Sequence, residues 1–215
     1  MAGSSLFTNI ARAAKVVVLL LFFVPWVTVS CAPDAMQRMQ AAEQGLEARP
    51  QPALGGSAPA IVIARASGLD LAMGKLQMND PTAGMGPQSA SSAGPNREPP
   101  TVAPEVAVIA GAALLLIALL ATFLKGAVGA MAAAGSSLLA VAAFCYSVFV
   151  HYPPAVIAAF AANQRGGSAS VEQVGQVLSV QPDTLFYLVL LLLVLAVLLN
   201  VLAMRKPAAA PSAAP

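Results

Sequence analysis

Long apolar runs without a single charge alternate along this chain with polar, proline-rich stretches. Four windows contain no Asp, Glu, Lys or Arg: Val16 to Pro33, Val106 to Leu124, Gly126 to Gln164 and Thr184 to Met204. A helix needs about 20 apolar residues to cross roughly 30 Å of hydrocarbon, so each window is read as membrane-spanning. The last is the plainest, with ten leucines between a capping Asp183 and the cations Arg205 and Lys206, and it predicts a span over 183–204. The second predicts a span over 104–124, with Pro104 at the first helical position and Glu105 in the first turn.

At 39 residues the third window is too long for one crossing. It divides at His151-Tyr-Pro-Pro154, because paired prolines cannot continue a helix and the residue before a proline avoids helical angles. A span over 127–150 remains, separated from the one before it by Lys125-Gly126 alone, so the two form a tight helical hairpin. The first window follows Arg12 and Lys15, the basic flank of a signal sequence or a signal anchor. It predicts a span over 16–32, with Lys15 snorkelling and Trp26 towards the far interface. The expected fold is an all-α integral membrane protein with four transmembrane helices.

Composition agrees with that class. Charged residues are 9% of the chain and hydrophobic ones 58%, against about a quarter charged in a soluble domain, and mean hydropathy is +0.77. The signs of the charges add an orientation. With the amino terminus inside and four crossings, the cytoplasmic pieces 1–15, 125–126 and 205–215 hold five cations and no carboxylate. The two outer segments, with the outer span ends that carry Glu105 and Asp183, hold six cations and all nine carboxylates, which predicts N-in/C-in.

In the long outer loop, 33–103, Asp34 to Pro50 predicts a short helix and Ala60 to Arg65 a short strand. From about 77 the composition turns to Pro, Gly, Ser and Ala, a linker signature that predicts disorder. The second outer loop, 151–182, carries a capping-box pattern at Ser170 and Gln173 and puts Val171, Val174, Val177 and Leu178 on one face, which predicts a short interfacial helix. The tail, 205–215, is expected to be disordered.

Chemistry-bearing residues are few. Two cysteines and one histidine cannot assemble a four-ligand zinc site, and no HExxH, GxSxG or phosphate-binding glycine loop occurs, so no catalytic residue, metal or cofactor is assigned. His151, beside Tyr152, reads as an interfacial anchor, and Asn200 as an interhelical hydrogen-bonding group. Val27-Thr-Val-Ser-Cys31 is a loose lipobox, and Cys31 and Cys145 both lie towards the outer side, which leaves lipidation of Cys31 or a Cys31–Cys145 disulfide open. Gly129, Ala133 and Ser137 recur at fours, as do Ala132, Ser136 and Ala140, and such small faces let helices approach closely in lipid.

Pro25-Trp-Val-Thr-Val-Ser-Cys31 together with Ser67-Gly-Leu-Asp-Leu-Ala-Met-Gly74 resembles a pairing seen in uncharacterised small bacterial multi-spanning membrane proteins. In those a first span ends in Pro-aromatic-x-x-x-Ser-Cys and a Ser-Gly-x-x-Leu-Ala-x-Gly segment follows. The resemblance implies a retained first span and brings no activity with it. Spans with no internal Asp, Glu, Lys, Arg or His argue against a pump or secondary transporter. The expected role is a non-enzymatic structural or partner-binding component of a bacterial inner membrane. Its partners would be the lipid bilayer and a membrane protein or a second copy, with no nucleic acid. The alternatives are a lipoprotein acylated at Cys31 with three remaining spans, and a small channel or transporter subunit lined by span hydroxyls.

Overall fold

A computed structural model describes residues 2–31, 60–79, 100–124, 126–163 and 170–204. Two compact units are formed: Met1–Leu21, Ala107–Cys145 and Tyr187–Pro215 make the first, Phe22–Val106 and Tyr146–Phe186 the second. The molecule is mixed α/β, which corrects the all-α, four-span expectation: a four-stranded antiparallel sheet occupies the second unit. Among the described residues two helices, not four, are long and apolar enough to cross a membrane. They are the continuous helix Ala127–Ala162 and Thr184–Met204. The N-in/C-in orientation rested on four crossings and falls with them.

The first unit is helical: α1 (Ala2–Leu21), α3 (Val106–Ala121), α4 (Ala127–Tyr146) and α7 (Thr184–Met204). At 16 residues α3 is shorter than a span. α1 begins well before the expected limit at residue 16, because Ala11, Ala14, Lys15 and Val18 recur at helical spacing and are all buried. Phe7, Ala11 and Ala14 pack with Leu192, Ala196 and Leu199 of α7, two i, i+4, i+7 rows facing each other. Lys15 does not snorkel. It is 0% exposed, and its Nζ donates to the Ala118 carbonyl at 3.0 Å. Arg12 donates through Nε to Thr122 Oγ1 at 3.1 Å and through a second nitrogen to the Thr122 carbonyl, with its guanidinium 4.4 Å over the Phe123 ring. The last carbonyls of a helix lack intrahelical partners, so two α1 cations cap α3 from outside it.

In the second unit β1 (Pro25–Cys31) takes up the latter part of the window read as a first span, whose beginning belongs to α1. Helix α1 stops at Leu21, four residues before Pro25, whose ring would collide with the Leu21 carbonyl if the helix continued. Val27, Thr28 and Val29 are β-branched, and buried Val27, Val29 and Cys31 alternate with half-buried Thr28 and Ser30. The sheet order is β3-β2-β1-β4, with β2 Ile61–Ser67, β3 Gln77–Met78 and β4 Leu178–Pro182. Thr28 stands opposite Arg65 on one side and Gln181 on the other, and Arg65 opposite Gln77, so one polar row crosses all four strands. Cys31 is paired with Ile61, so the intervening segment leaves and re-enters the sheet at neighbouring positions.

Helix α4 does not end at the paired prolines. A π-helical turn, Ser147–His151, carries it into α5 (Tyr152–Ala162), where Pro153 and Pro154 fall in the first turn, the one place where a missing amide is tolerated. Short helices α2 (Gly68–Met73) and α6 (Val171–Val177) complete the unit. The box at Ser170 and Gln173 caps α6, with Gln173 N donating to Ser170 Oγ at 3.2 Å and Ser170 N to Gln173 Oε1 at 3.0 Å. Asp183 caps α7 as its position suggested, its Oδ1 accepting from Leu185 N at 3.2 Å. Disorder does not start at 77, since Gln77 and Met78 pair with Arg65 and Ala64. The helix expected over 34–50, most of the linker expected between 77 and 103, and the tail 205–215 lie outside the described residues.

Candidate functional site

The buried carboxylates among the described residues, Glu105 and Asp70, both lie in the second unit. Glu105 stands one residue ahead of α3 and is 2% exposed. Its backbone N–H donates to the Leu71 carbonyl at 3.0 Å, which ties the entry of α3 to α2. Its carboxylate accepts from Ser147 Oγ at 3.1 Å and from His151 Nδ1 at 2.9 and 3.1 Å. Ser147 and His151 are the first and last residues of the π turn, so one carboxylate bridges its two ends. The His151 ring is exposed and stacks on Tyr146 with centroids 6.2 Å apart. Tyr152 is buried within the electrostatic reach of both Glu105 and Asp70.

Asp70 is the third residue of α2 and its Oδ2 accepts three hydrogen bonds, from Ser67 N at 2.9 Å, Ser67 Oγ at 2.7 Å and Gln77 Nε2 at 2.8 Å. Ser67 caps α2, and its Oγ accepts in turn from Asp70 N at 3.1 Å. Gly74 ends α2 at φ 68°, where a Cβ would lie 2.2 Å from the Val102 carbonyl. A Cβ at Gly68 would lie 2.7 Å from the Phe22 ring and 3.0 Å from the Trp26 ring. Ser67, Gly68, Asp70 and Gly74 of the second motif are therefore cap, close-approach, box and C-terminal stop. Trp26 of the first motif is buried between Phe22, 5.1 Å away, and Phe186, 5.6 Å away. Pro25 pairs with Ser67 in the sheet, so the two motifs meet in space.

The residues singled out from the sequence are placed as follows. Gly129, Ala133 and Ser137 are buried on one face of α4, Gly129 against the carbonyls of Ala121 and Leu124 at the turn from α3. Ser137 Oγ donates to the Ala133 carbonyl of its own helix at 2.7 Å. Of the parallel row, Ala140 is buried, Ser136 half-buried and Ala132 exposed. Both cysteines are thiols with no disulfide. Cys31 is buried in β1, where burial pushes its thiol above the ordinary value. Asn200 is buried, and its Nδ2 has no hydrogen-bond partner. No group of three or more metal-ligating side chains occurs among the described residues.

Sequence reasoning missed the bond between Glu105 and the π turn, although the signal was present. Glu105 lies 20 residues before Lys125 and Ser147 lies 21 residues after Gly126, and equal arms of a helical hairpin meet at its open end. His151 is thus a hydrogen-bonded partner of a buried carboxylate and not only an interfacial ring.

In comparisons with known proteins the chain matches no family model, no curated protein and no solved structure.

Proposed function

We propose that this chain is a multi-pass integral protein of a bacterial inner membrane, a non-enzymatic structural or partner-binding component. The observation that carries the membrane reading is the exposure of large apolar side chains along α4 and α7. Val128, Met131, Leu138 and Leu139 of α4 and Leu191, Leu195 and Leu198 of α7 face outwards, while α4 buries Gly129, Ala133, Ala134, Ser137 and Ala140. Lipid tails solvate such a surface and water does not, and small interior residues permit close helix approach. Exposed Tyr146 and Tyr187, at the ends of those helices adjoining the sheet unit in sequence, suit a bilayer interface.

A partner-binding role is supported by the polar row Gln77, Arg65, Thr28 and Gln181, three of them exposed on the sheet. A structural role for the carboxylates is supported by the donors that already engage them. Retention of α1 is supported by Arg12 and Lys15, which bond to residues 110 and 103 positions away.

Two measurements test the reading. After alkaline carbonate washing the protein stays in the membrane pellet, and its release into the supernatant overturns the membrane assignment. With a photo-crosslinking residue at Gln181 in native membranes, one discrete protein adduct is expected, whereas labelling of lipid alone counts against a partner.

A further inference from the structure

We draw no further inference here: the strongest candidate, the exposed stripe of Val128, Ala132, Gly135, Leu139 and Ala142 along one side of α4, is a row of small and apolar side chains at helical spacing, and nothing in the structure shows what covers it.

Discussion

Gly74 and Glu105 show how much of the sheet unit hangs on single residues. At φ 68° any L side chain is disfavoured, and at Gly74 a methyl group would also collide with the Val102 backbone. Gly74→Ala should cost at least about 2 kcal/mol, read as a lowered thermal midpoint of the detergent-solubilised protein. Glu105→Ala leaves Ser147 and His151 without their acceptor, for a loss of about 1 to 3 kcal/mol. Glu105→Gln keeps one acceptor oxygen and should recover part of that loss in the same melt, whereas equal losses would speak against the bridge across the π turn. Burial raises the Cys31 thiol above its ordinary value. Its neutral form is favoured in the fold, so its contribution to stability is complete below the ordinary thiol value and is lost as pH rises through the folded value. Maleimide labelling of Cys31 in a Cys145→Ser background should be much slower at pH 8 in the folded protein than in denaturant, because both access and thiolate fraction are reduced. Equal rates would show that β1 does not hold this residue.

At the scale of elements, α1 is bound to α3 through charge and hydrogen bonds and to α7 through alanine-rich packing. Arg12→Ala removes the bonds to Thr122 and the contact over Phe123, and about 1.5 to 3 kcal/mol should be lost because hydrogen bonds from a charged donor are the stronger kind. A melt of that variant within about 0.5 kcal/mol of the parent would deny the cap. Sequence showed these cations plainly and suggested a different use for them, since topogenic charges and capping charges are the same residues at the same distance from an apolar run. The π turn carries a similar lesson. Pro153 and Pro154 read as a helix end because each lacks an amide, and only the wider turn before them, bridged by Glu105, lets the helix go on.

For the whole molecule, the sheet decides which connections matter. β1 is central, and the strands on either side come from 61–67 and 178–182, so its ladder closes long loops. Cys31 and Ile61 are cross-strand partners, and loop closure changes by only about 0.6 kcal/mol for each doubling of length. Replacing residues 33–59 with a short turn should therefore leave the thermal midpoint unchanged or slightly raised. A collapse of near-ultraviolet circular dichroism from buried Trp26 in that variant would show instead that the removed segment supports the sheet.

The sequence by itself determined the apolar helix α7 and its Asp183 cap, the break between α3 and α4 at Gly126, the boxed start of α6 and the strand around Ile61 to Arg65. Each rests on neighbours within a few residues: periodicity, a cap three positions away, or a glycine at a turn. Only the tertiary structure decided that Pro25 to Cys31 is a strand. A short apolar run rich in β-branched residues reads equally as buried helix or buried strand, because the two differ in where their hydrogen bonds go. A helix finds its partners four residues away, whereas β1 finds them 30 to 42 residues away in β2 and about 150 residues away in β4. The same distance hid the bond between Glu105 and His151, 46 residues apart, which exists only where the ends of the hairpin arms come together.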